Sequence, residues 1–354
     1  MMISKILFIL TVFAGGGIEK TFVQCARSIR ECFEDIEVYL FVIEKCDEFK
    51  NEIPEGITFI TKRRDLLKLF HHKKNSLIIN YSGDWKSSLL SSMLAKSYIS
   101  WIHCNPNSMR AAKTAVLNYY LIERSKVVVC VSNEQANIFK EQVKRNVNIT
   151  VIHNCFDIKS IEELKDTETK RDLRNSKYFL MVSRFDLGVK DFRTLIDAYS
   201  LLDKGVQSKY KLVLLGNGDG EKLVKKYVEY KGISKNVVFP GYDCNPYRWM
   251  SQASICVLSS KSEGFPGCVI EEMICKSPVV ITDYRTGARE VSQDNKNCIM
   301  IKIGDTYGLV RAIETILEDD DMRERMIANA YEYAKEFDYP QYKMKIRNII
   351  EAMN

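Results

Sequence analysis

Residues 158–183 read IKSIEELKDTETKRDLRNSKYFLMVS and change character in the middle. The segment 158–176 is polar and charged, which predicts a linker or a short surface helix. Tyr178–Ser183 is apolar and predicts a buried strand. A pattern of strands and helices precedes this stretch and starts afresh after it. The chain of 354 residues is long enough for two domains of about 150 residues each. We therefore predict one domain over 1–165 and a second over 166–337.

Short β-branched runs alternate with helical patterns on both sides of this boundary. Near-continuous apolar strands that alternate with helices indicate parallel sheets covered on both faces. The sequence thus predicts an α/β protein of two facing, doubly wound, Rossmann-like domains. Ligands of such sheets bind beyond the carboxyl ends of the strands, so the residues after each strand are the candidates for a site. The predicted strands are ISKILFIL, EVYLFVI, ITFIT, SLIINYS, SYISWIH, KVVVCVS and ITVIH, then KYFLMVSR, YKLVLLGN, NVVFPGY, SICVLSS, PVVITD and NCIMIK.

The first residues, MMISKILFILTVFAGGG, have the lysine, apolar run and small residues of a signal peptide. The alternative is a first strand, Lys5–Phe13, that runs into a glycine loop. We favour the strand because an amphipathic stretch follows it, as in a βα unit. No apolar run reaches the roughly 20 residues that span a bilayer.

Eleven cysteines are scattered singly, without a C-x-x-C pair, and the chain has only four histidines. This pattern argues against a structural zinc site, and no metal is predicted. Most of the cysteines lie in apolar runs and are expected to be small buried residues. Free thiols fit a reducing compartment, so we predict a cytoplasmic protein.

The net positive charge of the chain arises entirely from its first half. Residues 1–160 carry a net charge of +6, and residues 161–354 carry none. A basic half favours an anionic partner, such as a phosphorylated substrate or an acidic membrane surface. The basic stretch TKRRDLLKLFHHKKN (61–75) could dock on lipid through its leucines, although a solvated helix face explains it equally well.

Candidate site residues follow several predicted strands. Arg184 and Lys190 lie in one loop, where two cations could neutralise a diphosphate or simply be surface charges. His103 follows SYISWI, and a lone histidine there is as easily structural as functional. Glycines let backbone N–H groups approach an anion at the start of a helix, but they also make tight turns. Two loops have that character, formed by Gly15, Gly16 and Gly17 and by Gly216 and Gly218.

The stretch KSEGFPGCVIEEM (261–273) follows the apolar run SICVLSS. Glu263 precedes a predicted helix that begins near Pro266, and Glu271 lies inside that helix. The backbone between them and the helix dipole offer an anion site flanked by two hydroxyl acceptors. A sugar nucleotide, which is a diphosphate between two polyols, fits this arrangement. Glu272 points about 100° away from Glu271, so we expect it to be solvated.

The chain resembles glycosyltransferase family 4, which comprises retaining enzymes of the GT-B fold. The matching pieces are GGGIEK, WIH, VIHN, SRF, LGNGDGE, SSKSEGFPGCVIEEM and ITDYRTGAREV. The resemblance implies that Glu271 holds the nucleotide ribose and that Arg184 and Lys190 neutralise the leaving diphosphate. The spacing of these two cations is one residue longer than is usual in the family. The remaining implied donor contacts are Glu263, Gly264, Phe265, Pro266, Gly267 and Cys268, with Gly216 and Gly218, and with Gly15, Gly16, Gly17 and His103 from the first domain.

The resemblance also implies an activity. We expect transfer of a hexose or N-acetylhexosamine, with retention, from a nucleotide sugar to a saccharide acceptor. UDP is the expected nucleotide, and a lipid-linked acceptor at the inner membrane face is expected, with no cofactor, metal or nucleic acid. Residues 338–354 would form a helix that packs back on the first domain. A UDP-sugar epimerase or phosphorylase of the same fold, and a binding protein without catalysis, remain open alternatives.

Overall fold

A computed structural model describes residues 3–13, 17–46, 53–71, 74–167 and 176–354. The chain forms two compact units. Unit 1 comprises Met1–Cys155 and Tyr339–Asn354, and unit 2 comprises Phe156–Asp338. The division falls after Cys155, earlier than the predicted limit at 165, because the helix that follows packs on helices of unit 2.

Thirteen strands lie within the described residues, and each coincides with a strand predicted from the sequence. They are β1 Lys5–Phe13, β2 Glu37–Cys46, β3 Ile57–Ile60, β4 Ser76–Asn80, β5 Tyr98–Ile102, β6 Val127–Cys130, β7 Ile149–Val151, β8 Lys177–Val182, β9 Tyr210–Leu215, β10 Val237–Gly241, β11 Ile255–Leu258, β12 Val279–Thr282 and β13 Ile299–Ile301.

The helices of the described residues lie mostly between these strands. They are α1 Gly17–Cys32, α2 Arg63–Phe70, α3 Trp85–Leu94, α4 Pro106–Ala111, α5 Ala115–Ile122, α6 Asn133–Gln142, α7 Ile158–Lys165, α8 Phe192–Leu201, α9 Lys204–Lys209, α10 Glu221–Tyr230, α11 Tyr247–Met250, α12 Gly267–Ile274, α13 Ala288–Ser292, α14 Thr306–Glu318, α15 Asp320–Ala334 and α16 Tyr339–Glu351.

Each unit is built on one parallel sheet, which confirms two Rossmann-like α/β domains. The order in unit 1 is β3-β2-β1-β4-β5-β6-β7, and the order in unit 2 is β10-β9-β8-β11-β12-β13. The central strand β1 is buried along most of its length, as the predicted strand Lys5–Phe13 requires. In unit 2, residues such as Phe179, Leu212 and Val257 form the core between the sheet and helices α8 and α14.

The strand order reverses between β1 and β4 in unit 1 and between β8 and β11 in unit 2. At such a switch point the connections leave on opposite faces of the sheet and open a crevice at the carboxyl ends of the strands. The residues that follow β8 and β11 therefore lie where a doubly wound sheet binds its ligand.

The last helix returns to the first unit, as expected from the sequence. Helix α16 packs against α1, and Ile346 and Ile350 on α16 are buried. The guanidinium of Arg27 lies 4.7 Å from the centre of the Tyr339 ring, and Lys343 Nζ lies 3.1 Å from Glu31 Oε2. Apolar burial and these polar contacts together hold α16 on α1.

Of the two open interpretations of 61–75, docking on lipid through the leucines is contradicted for most of them. Leu66 and Phe70 are buried in the core of unit 1, and Leu69 packs against that core. Leu67 is the exposed member of the set. The apolar side of α2 is thus used by the fold, because it covers strands β2 and β3. No helix within the described ranges is both long enough and apolar enough to cross a membrane.

Candidate functional site

The candidate site of unit 2 is formed by the loops that follow β8 and β11, two strands that pair at the switch point. A short antiparallel bridge between Lys190 and Ser260 joins the two loops. The amide of Asp191 donates to the carbonyl of Ser259 at 2.7 Å, and the amide of Lys261 donates to the carbonyl of Val189 at 2.7 Å. These bonds fix the β8 loop against the start of the KSEGFPG segment.

The bridge brings two predicted site residues together. Lys190 Nζ and Glu263 Oε1 form an ion pair, and the hydroxyl of Ser260 donates to the same carboxylate oxygen at 2.6 Å. The side chains of Lys190 and Glu263 are only 13% and 17% exposed. Burial lowers the pKa of Lys190, but the Glu263 carboxylate outweighs it and raises the pKa above its ordinary value. Lys190 is therefore a fixed cation.

Arg184 contributes a second cation to this region. It follows β8, its side chain is exposed, and its charge opposes protonation of Lys190. In the part of the chain that the structure describes, Arg184 has no hydrogen bond and no ion pair. One cation here is balanced by Glu263 and the other is available to an anionic ligand.

The glycines of the LGNGDGE loop support the backbone around Arg184. Gly216 and Gly218 have φ of +137° and +148°, which residues with a side chain rarely adopt. A Cβ added to Gly216 would lie 2.0 Å from the carbonyl oxygen of Ser183, and one added to Gly218 would lie 2.8 Å from the amide of Phe185. The Phe185 amide also donates to the carbonyl of Asn217 at 2.8 Å. These glycines thus allow two loops to touch; whether they also bind nucleotide stays a prediction.

The turn before α12 is held from two sides. The hydroxyl of Thr286 donates to the carbonyl of Glu263, and the amide of Gly267 donates to the carbonyl of Phe265 at 2.9 Å. Pro266 is the residue before the helix, one position earlier than the first-turn place that we expected. The amide of Gly267 is therefore already hydrogen-bonded within the turn. Donor binding by the rest of the segment 264–268 stays a prediction.

Glu271 lies on α12 and is partly exposed. The hydroxyl of Tyr247 donates to Glu271 Oε1 at 3.1 Å. Burial and the Glu271 carboxylate raise the pKa of Tyr247, so the hydroxyl keeps the proton that it donates. Sequence reasoning missed Tyr247, because it lies on the short helix α11 in no recognisable motif. Ser260 and Thr286 lie within matching stretches of the sequence, but sequence reasoning assigned them no role.

The expectation that Glu272 is solvated is wrong. Its side chain is only 1% exposed. Helix α12 is covered by α15 as well as by α7 and α11, so the side that faces away from Glu271 is also buried. Burial raises the pKa of Glu272 well above its ordinary value, and the Glu271 carboxylate adds to the shift. The folded protein therefore favours the neutral carboxylic acid form of Glu272.

The predicted residues of unit 1 form a separate group. Gly15 and Gly16 lie outside the described residues, and Gly17 begins α1. His103 follows β5, with its ring parallel to that of Trp101 at 6.1 Å and 4.6 Å from that of Tyr81. Its Nε2 atom is buried without a hydrogen-bond partner among the described residues, and burial lowers the pKa of His103 to about 3. His103 can thus offer a hydrogen bond at neutral pH but no charge, and its role toward a donor stays a prediction.

The sequence of residues 160–333 matches the family model of glycosyl transferases group 1. This segment contains Arg184, Lys190, Glu263 and Glu271. A curated relative from Campylobacter jejuni, N-acetylgalactosamine-N,N'-diacetylbacillosaminyl-diphospho-undecaprenol 4-alpha-N-acetylgalactosaminyltransferase, is 29% identical over 63% of this chain. This chain is therefore similar to glycosyltransferases over these parts of its length.

The match to the Campylobacter glycosyltransferase spans 60% of that protein's length. An uncharacterized glycosyltransferase of Methanocaldococcus jannaschii is 24% identical over 86% of each chain. Among solved structures, HepE of Anabaena, in complex with UDP and glucose, superposes with a TM-score of 0.83 at 20% identity and covers 99% of this chain and 100% of its own. At that identity the likeness shows the GT-B fold alone.

Proposed function

We propose that this GT-B glycosyltransferase transfers a hexose or N-acetylhexosamine from a UDP-sugar to a lipid-linked saccharide, with retention of configuration. The observation that carries the proposal is the arrangement of three charged residues at the switch point of unit 2. Lys190 is paired with Glu263, and Arg184 in the same loop is exposed and unpaired within the described residues.

This arrangement suits a diphosphate leaving group. Negative charge develops on the departing phosphate as the bond to the sugar breaks, and preorganised cations stabilise that charge more than the charge of the bound donor. Arg184 would bind the diphosphate through its planar guanidinium. Glu263 holds the charge of Lys190 in place before the ligand arrives. Lys190 would then contact the phosphate and Glu263 at the same time.

The two carboxylates act as hydroxyl acceptors in the proposal. Glu263 is held by Lys190 and Ser260, so it can fix a sugar hydroxyl without acting as a proton donor. Glu271 would accept from the ribose hydroxyls, with Tyr247 setting its orientation. Neither residue forms the acid and base pair that a glycoside hydrolase places on either side of the bond.

Several relatives favour a lipid-linked acceptor. The name of the Campylobacter relative specifies an undecaprenol diphosphate, and a second relative from that organism, an alpha-1,4-N-acetyl-D-galactosaminyltransferase, also carries undecaprenol in its name. The basic first half of the chain is compatible with an anionic, diphosphate-linked acceptor. We take no metal or cofactor to be needed beyond the donor itself.

The experiment is a direct assay of the purified protein. A thermal-shift panel of UDP-, GDP- and ADP-sugars identifies the donor, because a ligand of the folded state raises the melting temperature. The donor is then incubated with an undecaprenyl-diphosphate-linked saccharide, and the anomeric configuration of the product is read by NMR. A β-linked product would exclude retention, conversion of the UDP-sugar without acceptor would favour an epimerase, and binding without turnover would favour a binding protein.

A further inference from the structure

Helices α3 and α5 of unit 1 expose an unusual number of large apolar side chains. Eight such side chains are exposed among the described residues of unit 1, and five of them lie on these two helices. We call this surface the α3–α5 patch, formed by Leu89, Met93, Val116, Leu117 and Tyr120. Val116 is 86% exposed and Met93 is 57% exposed, so these groups are largely solvated in the isolated chain.

The two helices that carry the patch pack against each other. The buried hydroxyl of Ser88 on α3 donates to Asn118 Oδ1 on α5 at 2.8 Å. Leu89 follows Ser88 in the sequence, and Leu117 precedes Asn118. Helix α5 reads AVLNYYLI and contains no charged residue on either side. A helix that is apolar all round belongs in an apolar environment, yet one side of α5 faces solvent.

The surroundings of the patch are strongly basic. Residues 85–126 contain six lysines and arginines and a single acid, Glu123. The guanidinium groups of Arg124 and Arg145 each lie 5.7 Å from the centre of the Tyr120 ring. Within the ranges that the structure describes, neither arginine pairs with a carboxylate. Apolar side chains bordered by unpaired cations, with a tyrosine between them, form a surface suited to a layer of anionic headgroups over acyl chains.

Helix α2 provides a comparison within the same unit. Residues 61–75 also contain six lysines and arginines and a single acid, so this shorter segment has the same net charge at a higher density. Helix α2, however, buries Leu66 and Phe70 and exposes only Leu67 among its large apolar residues. Charge alone would not distinguish the two surfaces, but exposed apolar area does.

We propose that the α3–α5 patch docks unit 1 on an anionic lipid bilayer, with the apolar side chains entering the interface and Arg124 and Arg145 contacting lipid phosphates. The inference rests on the proposed function in one respect, since a lipid-linked acceptor makes a bilayer the natural partner. The occupant is identified by charge complementarity: the bordering cations match anionic phosphates, whereas a second copy of this chain would bring the same cations into contact with each other.

The test is sedimentation of the whole protein with vesicles. We expect binding to phosphatidylcholine vesicles that contain phosphatidylglycerol and much weaker binding to phosphatidylcholine alone. The double variant Val116→Ser/Leu117→Ser should weaken binding to the anionic vesicles by about tenfold or more, because it removes two exposed apolar groups, including Val116, the most exposed group of the patch. Arg124→Gln/Arg145→Gln should weaken binding and reduce its dependence on salt.

The matched control is Leu67→Ser on α2, which removes an exposed leucine from a segment of the same net charge and should leave binding within about twofold of wild type. Equal binding to neutral and anionic vesicles, or equal losses in the control and patch variants, would overturn the proposal. So would a wild-type dimer in light scattering that the patch variants convert to monomer, since the patch would then be covered by a second copy. Thermal shift with UDP, run on every variant, reports the donor site independently of the patch.

Discussion

Lys190 and Glu263 come from loops that follow β8 and β11, and their side chains form an ion pair at the point where the strand order of unit 2 reverses. The pair depends on the bridge between Lys190 and Ser260, because that bridge aligns the two loops. Arg184 lies in the same loop as Lys190 but takes no part in the pair. The two cations should therefore respond differently to substitution.

Arg184→Ala should reduce turnover by about 100-fold or more, because it removes charge stabilisation from the leaving diphosphate. The free energy of unfolding should stay within about 0.5 kcal/mol of wild type, because the side chain is exposed and unpaired among the described residues. Steady-state kinetics and urea unfolding measure the two effects. Arg193→Ala is the matched control, since Arg193 is 78% exposed on α8 and should alter neither quantity appreciably. Unchanged turnover in Arg184→Ala would exclude its proposed role.

Lys190→Ala should reduce both turnover and stability. It leaves Glu263 without its cation in a site that is largely shielded from water, with Ser260 as the one remaining side-chain hydrogen-bond donor among the described residues. The loss of a charge-assisted hydrogen bond to a partly buried group costs about 1.5–3 kcal/mol. Urea unfolding should show that loss, and the double variant Lys190→Ala/Glu263→Ala should recover part of it. A double variant that is less stable than the sum of the single losses would contradict this account of the pair.

Tyr247→Phe should weaken UDP binding by about fivefold, because Glu271 loses the hydroxyl that orients it. Calorimetric titration with UDP measures the dissociation constant. Tyr242→Phe serves as control, since Tyr242 is exposed and its hydroxyl lies outside the contacts that form the site. If Tyr247→Phe binds UDP as tightly as wild type, Glu271 either needs no orientation or does not contact the ribose.

Gly216→Ala should destabilise unit 2 more than a substitution at another glycine with positive φ. Gly216 combines a φ of +137° with a contact of only 2.0 Å between the added Cβ and the Ser183 carbonyl. Gly232 has a φ of +70° and no atom within 4 Å of an added Cβ. Gly232→Ala should thus cost about 1–2 kcal/mol for conformation alone, and Gly216→Ala should cost more. Equal costs in urea unfolding would show that the two loops can separate without penalty.

The strands could be predicted from the sequence because their signal is local. Runs such as SICVLSS are apolar and short, and each lies between turns and helices, so the strand positions follow without knowledge of the fold. The contact between Lys190 and Ser260 could not be found in this way, since it depends on strand order and joins residues far apart in the chain. Tyr247 was missed for the same reason, as its partner Glu271 lies on another helix.

The error at Glu272 has a different cause. A helical rotation of about 100° separates Glu272 from Glu271, and on a helix with one covered side that would place it in solvent. Helix α12 is instead contacted by α7, α11 and α15, and five of its eight residues are buried. The sequence signal for that packing lies in helices that are distant along the chain and cannot be read from α12.

Glu272→Gln should stabilise the protein relative to wild type as the pH rises. The raised pKa of Glu272 means that the folded state keeps a proton that the unfolded state releases above about pH 4.5. Wild type therefore loses up to about 1.4 kcal/mol of stability per pH unit between this pH and the raised pKa, and the glutamine variant does not. Urea unfolding at about pH 4.5, 6 and 7.5 measures the difference.

Val269→Ala is the control for Glu272→Gln. Val269 is buried on the same helix, and its substitution should cost a constant amount at every pH, because it removes no titratable group. If the difference between Glu272→Gln and wild type is as flat as the cost of Val269→Ala, Glu272 is ionised in the folded protein, and some group must compensate its charge.

The contribution of His103 to stability should fall as the pH decreases, which is opposite to the effect of Glu272. Its pKa of about 3 lies below the ordinary value of 6.5, so the unfolded state takes up a proton below about pH 6.5 while the folded state stays neutral. Stability from this source is complete above pH 6.5 and falls by up to about 1.4 kcal/mol per pH unit toward pH 3. His103→Gln should remove that fall, and Ile102→Val, a buried neighbour without a titratable group, should retain it. An NMR titration of the imidazole Cε1–H of His103 tests the cause directly, because a midpoint near pH 6.5 would show that the ring is solvated and free to act as a cation.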